Sequence, residues 1–100
     1  MFDFSVKENA GDVDVVLKGR LDATVAPSLH AEMAKMEGTD IKKVTFDMKD
    51  LDYIASAGLR VIIFTKQKLG TDTQLYMKDV NQDVMQVLEM TGADNFITFV

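Results

Sequence analysis

Asp50-Leu-Asp-Tyr-Ile-Ala-Ser-Ala-Gly-Leu-Arg-Val-Ile62 is the stretch in which this chain passes from an extended segment into an apolar helix. Ser56 stands at that passage. Serine favours helix N-cap positions because its hydroxyl oxygen can accept a bond from a backbone amide with no partner inside the helix. The same unpaired amides, with the positive end of the helix dipole, also make a helix start favourable for phosphate. Ser56 can therefore be read as an N-cap or as a phosphorylation switch.

Working outward, Leu59, Ile62, Ile63 and Leu69 form a helical apolar stripe, widened by Val61 and Phe64, and Gly70 closes it. Such breadth predicts a helix pressed onto a sheet. Upstream, Val44, Phe46 and Met48 alternate with Lys43, Thr45 and Asp47, which predicts a strand running into the motif. Phe2, Phe4 and Val6 alternate with Asp3 and Ser5, and Val13, Val15 and Leu17 alternate with Asp12, Asp14 and Lys18. With Asn9-Ala-Gly11 between them, these segments predict an antiparallel hairpin. Val25, Leu29, Met33 and Met36 recur at helical spacing after an Asp22 or Thr24 cap, with Pro27 tolerable in the first turn and Gly38 as the stop. Gln74 to Met77 reads as a short strand. Asn81 can cap a helix carrying Val84, Val87 and Leu88 before Gly92, and Phe96 to Val100 reads as the last strand. The predicted order is β-β-α-β-α-β-α-β, one α/β domain over residues 1–100 with a mixed sheet covered by helices.

Composition excludes several functions. The chain has 100 residues, enough for one core without metals or disulfides, and it contains no Cys and one His. A Cys-based zinc site, a disulfide framework and Cys catalysis are thereby excluded. His30 has no Cys or second His near it and reads as a helix-surface residue. No cluster of acid, base and metal ligands emerges, so no catalytic residue, metal site or cofactor is assigned, and the protein is read as a non-enzyme. The net charge of −5 at pH 7 argues against direct nucleic-acid binding. No apolar run approaches the roughly 18 residues of a membrane span, so a cytoplasmic protein without membrane insertion is expected. Met33, Met36, Met85 and Met90 fall on helical apolar faces, where filling gaps in the core is the expected role.

With the motif and its setting in place, the chain resembles the STAS domain of bacterial anti-sigma factor antagonists. The family pattern around its phosphorylated serine is Asp-Ser-Ser/Thr-Gly-Leu-x-Val, preceded by an aromatic and an aliphatic residue. Tyr53-Ile-Ala-Ser-Ala-Gly-Leu-Arg-Val61 matches it and aligns Ser56 with the phosphoacceptor; Ala55 and Ala57 replace the acidic and hydroxyl neighbours. Gly19-Arg-Leu-Asp22 resembles the family's Gly-x-Leu/Ile-Asp segment, and Met90-Thr-Gly-Ala93 its closure after the last helix.

The resemblance implies a partner switch. The unphosphorylated antagonist binds an anti-sigma factor that is also a serine kinase, which frees a sigma factor; phosphorylation at Ser56 reverses this, and a PP2C-type serine phosphatase resets it. Partner contacts are then expected from Asp22, Thr24, Ser56, Ala57, Gly58 and Arg60, with Asp50 and Asp52 adding repulsion to a phosphate. The residues leave other roles open: Asp22 as a loop or cap residue, Gly58 as a packing glycine, and Arg60 as a solvated helix residue. Tyr53 and Ile54 read as strand-end core. The alternative within the same fold is a constitutive binding subunit of a lipid-transporting ABC complex.

Overall fold

In the computed structural model, which describes residues 2–35, 41–70 and 73–100, the N-terminal hairpin turns at Ala10 and Gly11. Their φ angles of 53° and 91° are both in the left-handed region, as a type I′ turn requires. It joins β1 (Phe2–Asn9) to β2 (Asp12–Leu21), paired antiparallel with Asn9 opposite Asp12 and Phe4 opposite Leu17.

Three crossovers follow. Helix α1 (Ala26–Ala34) leads to β3 (Lys43–Ile54), α2 (Ser56–Leu69) to β4 (Gln74–Lys78), and α3 (Gln82–Thr91) with a 3-10 turn (Ala93–Phe96) to β5 (Thr98–Phe99). The strands lie in the order β1-β2-β3-β4-β5, and every pair after the hairpin is parallel. The mixed sheet and element order match the sequence expectation. Met36 and Gly38, read as the end of the first helix, lie outside the described residues.

Each crossover adds its strand on the same side of the sheet. Right-handed connections of that kind lay all their helices on one face. The burial pattern agrees: Val13, Val15 and Leu17 on β2, Val44, Phe46 and Met48 on β3, and Leu75 and Met77 on β4 are all buried. Leu29 and Met33 of α1, Leu59 and Ile62 of α2, and Val84 and Leu88 of α3 close the core over them. The opposite face carries the row Asp14, Thr45, Tyr76 and Thr98 and is left to water.

Several sequence expectations need correction. Strand β3 runs on past Met48 to Ile54, because the β2–β3 pairing resumes beyond a register shift, with Arg20 opposite Tyr53 and Leu21 opposite Ile54. Phe96 belongs to the 3-10 turn and is exposed, so the last strand is shorter than its apolar run suggested. Met33 is buried as expected, but Met85 is half-buried and Met90 is 78% exposed in the last turn of α3. Tyr53 is likewise not core.

Candidate functional site

The junction between β3 and α2 lies at the carboxyl end of the parallel strands, where α/β sheets present their ligand-facing loops. Ile54 is the last residue of β3 and is buried; Ala55 follows in extended conformation, and Ser56 is the first residue of the helix. Ala55, not Ser56, therefore occupies the N-cap, since its φ of −90° and ψ of 168° lie outside the helical region and its carbonyl accepts from Leu59 N–H at 3.0 Å. Alanine has no side-chain acceptor, so no side chain caps α2. Its first turn also holds no acidic residue. Ser56 is exposed at this open end of the helix dipole.

Backbone and packing hold what a cap does not. The Ala55 amide donates to the Leu21 carbonyl at 2.8 Å, tying the start of α2 to the end of β2. Gly58 then sits directly on Leu21: a Cβ there would lie 2.5 Å from Leu21 Cγ and 3.0 Å from its carbonyl oxygen. Gly58 is buried, and its want of a side chain lets α2 approach β2. It shapes the site from beneath rather than presenting a surface.

The neighbouring β2–α1 turn is organised by Asp22. Its Oδ1 accepts from the amides of Thr24 at 3.0 Å and Val25 at 3.3 Å, while its carbonyl accepts from Ala26 N–H at 3.0 Å. Thr24 is exposed and Val25 occupies the N-cap of α1 without a side-chain bond, so neither of the two expected caps stands at the N-cap itself, and of the pair it is the Asp22 carboxylate that takes up amides of the turn before the helix. Aspartate suits this because a short carboxylate readily bonds amides two and three residues on.

Two grooves flank the junction. Between α1 and α2 an open groove of about 470 Å³ is lined by Ala23, Ala26, Pro27, Ala57, Arg60 and Phe64, together with His30 and Val61. The rings of His30 and Phe64 meet across it, with centroids 4.2 Å apart. On the other flank, about 370 Å³ opens between the end of β3 and the start of α3, lined by Arg20, Asp52, Tyr53 and Asp83 among others. There the Arg20 guanidinium lies 4.2 Å above the Tyr53 ring, and Tyr53 is 39% exposed rather than core. Asp50 and Asp52 are exposed nearby in sequence on the same strand.

Ser56, Ala57 and Arg60 are thus placed on one accessible helix start, next to the turn that Asp22 and Thr24 form. Sequence reading missed the His30–Phe64 and Arg20–Tyr53 pairs, because both join residues more than thirty positions apart. Among the described residues no group of His, Asp or Glu side chains is arranged to hold a metal, and no helix is long and apolar enough to cross a membrane.

Residues 3–100 match the STAS domain family. The chain is a STAS domain. BtrV of Bordetella bronchiseptica, described as an anti-sigma factor antagonist, is 34% identical over 77 residues, 76% of this STAS domain and 66% of BtrV. The anti-sigma-B factor antagonist of Bacillus subtilis is 26% identical over 95 residues, covering 92% of this STAS domain and 84% of that protein. Among solved structures, an anti-sigma factor antagonist from Mycobacterium paratuberculosis superposes with a TM-score of 0.86 at 20% identity, over 99% of this chain and 85% of that one. The antagonist SpoIIAA in its unphosphorylated form gives 0.84 at 14% identity, over 98% and 88%.

Proposed function

We propose that this STAS domain is an anti-sigma factor antagonist whose partner-binding face is the start of α2 together with the β2–α1 turn. Phosphorylation of Ser56 by a partner that is both anti-sigma factor and serine kinase releases the complex, and a PP2C-type phosphatase restores it. The observation that carries the reading is the exposed serine at a helix start left without a cap. Relatives at 34% and 26% identity that are described as antagonists support the partner class. That SpoIIAA has been solved in a phosphorylated form, with a TM-score of 0.77 to this chain, supports a fold that tolerates the modification.

The physics of the switch follows from the site. A phosphate adds about −1.5 to −2 charges at pH 7. Because Ala55 offers no competing acceptor, the amides of the first turn remain free to bond it. The helix therefore carries phosphate without unfolding, while the bulk and charge fall on the partner's side. Turning a complex from almost fully bound to almost fully free takes about 5.5 kcal/mol of differential affinity. Steric exclusion at a close contact supplies that more readily than screened charge repulsion. Arg60, one turn along from Ser56, and the groove beside it extend the contact surface.

The test is direct. Incubation with the cognate anti-sigma kinase and ATP, followed by mass spectrometry, places one phosphate on Ser56, and Ser56→Ala abolishes it. Ser56→Asp loses binding to the unmodified anti-sigma factor. Phosphate at another residue, or wild-type affinity in Ser56→Asp, overturns the mechanism; recovery of transporter subunits in place of an anti-sigma factor from native cells overturns the partner class.

A further inference from the structure

The two edges of the sheet are unequal. β5 offers two residues at one edge, whereas β1 offers eight, Phe2–Asn9, paired on one side only. An open strand of that length is a template for a further strand unless its side chains forbid it.

The backbone parity of this edge is defined. The type I′ turn closes on Asn9 opposite Asp12 as a hydrogen-bonded pair, so the odd residues of β1 direct their N–H and C=O groups toward β2. The even residues Phe2, Phe4, Val6 and Glu8 direct theirs outward. In agreement, the Phe4 amide donates to its neighbour's Asp3 carboxylate at 2.9 Å instead of to β2.

From Asp3 to Lys7 the side chains of the same strand are self-complementary about Ser5. In an antiparallel pairing of two copies with the two-fold axis at Ser5, Phe4 of each copy lies opposite Val6 of the other, and Asp3 lies opposite Lys7. On the helix-covered face this brings Val6, 38% exposed despite facing the core side, against the half-buried Phe4. On the wet face it continues an alternation already present in the hairpin, where Asp3 faces Lys18 and Lys7 faces Asp14. The row across the junction then reads Lys18, Asp3, Lys7, Asp14, with opposite signs at each step. Shifting the register by two residues either way separates Asp3 from Lys7. Charges on an edge strand ordinarily repel a second copy; here their symmetric spacing about Ser5 makes two copies fit.

We propose that β1 is a self-association edge, on which a second copy of this chain pairs antiparallel about Ser5 to give one continuous sheet of ten strands from the five in each copy. The start of α2 takes no part in the junction, so a dimer displays two Ser56 faces.

The chain's lack of cysteine gives a clean test. Ser5→Cys places the only thiols opposite each other at a non-hydrogen-bonded pair, where Cα atoms lie about 4.5 Å apart, within disulfide reach. Mild oxidation is expected to give a covalent dimer on a non-reducing gel. Asp3→Cys is expected to remain monomeric, since its counterparts lie about 13 Å apart along the strands, four residues at the strand rise, whereas an equimolar mixture of Asp3→Cys and Lys7→Cys cross-links. In sedimentation equilibrium, Lys7→Asp and Asp3→Lys each weaken self-association at least tenfold, and mixing the two restores it. Equal cross-linking at residues 3 and 5, a wild-type chain that is monomeric at every concentration, or a mixture no tighter than its components overturns the proposal.

Discussion

Helices α2 and α3 both begin at the carboxyl end of the parallel strands, and they begin differently. Asn81 caps α3: its Oδ1 accepts from Val84 N–H at 2.8 Å, its Nδ2 donates to the Leu51 carbonyl at 2.7 Å, and Asp83 adds a negative charge in the first turn. α2 has none of these and relies on the Ala55–Leu21 backbone bond and the Gly58–Leu21 contact. A helix start can therefore be anchored from below while its amides stay available above. The first arrangement spends the helix terminus on stability; the second leaves it open for an incoming group.

The largest effect should come from removing the anchor of the open start. Leu21→Ala is expected to cost about 2–5 kcal/mol in urea unfolding, as for other fully buried leucines. Gly58→Ala forces its Cβ onto Leu21 and should cost about 1–3 kcal/mol. The double variant should cost less than the sum, because the shortened side chain vacates the space; strict additivity would break the account of Gly58 as a packing glycine.

Next, Asn81→Ala should cost about 1 kcal/mol for the lost cap, lowering Tm by roughly 4–8 °C in a domain of this size. Ala55→Asp supplies α2 with the acceptor it lacks, and its extended backbone already suits an N-cap. A gain of about 0.5–1 kcal/mol in urea unfolding is expected; a loss would mean that the open start is not an unfilled cap. The smallest effect belongs to Ser56→Ala, within about 0.5 kcal/mol of wild type, as for an exposed residue that carries no cap. A cost equal to that of Asn81→Ala would erase the contrast between the two helices.

The architecture was legible because each element declares itself locally. Alternation over Val13, Val15 and Leu17, helical spacing over Leu59, Ile62 and Leu69, and Asn81 before an apolar helix each point to one conformation, and the structure agrees with all three. What sequence misplaced depends on neighbours supplied by the fold. Ser56 has the chemistry of an N-cap, but the β2–β3 pairing and the Ala55–Leu21 bond shift the cap one residue earlier. Tyr53 has the composition of a core residue, yet register places Arg20 beside it and leaves the ring at the surface. Met90 reads as part of the apolar face of α3, but it stands two residues past the buried Leu88, about 200° around the helix at 3.6 residues per turn, and so faces water. Sequence leaves Gly58 open between packing and partner contact, and its packing role shows only with Leu21, thirty-seven residues upstream, in position.

The strand order has a further consequence, for how the protein reaches this fold. Every strand lies beside the one that precedes it in the chain, so the longest loops that must close are single crossovers. Contacts of that range are closed early and at low entropic cost, which favours rapid folding relative to sheets whose strands are interleaved. During synthesis the hairpin leaves the ribosome before the crossovers, and each completed crossover finds the edge it needs already formed. No strand must wait, unpaired, for a later one to arrive, and the interval in which an apolar strand is exposed to aggregation is kept short.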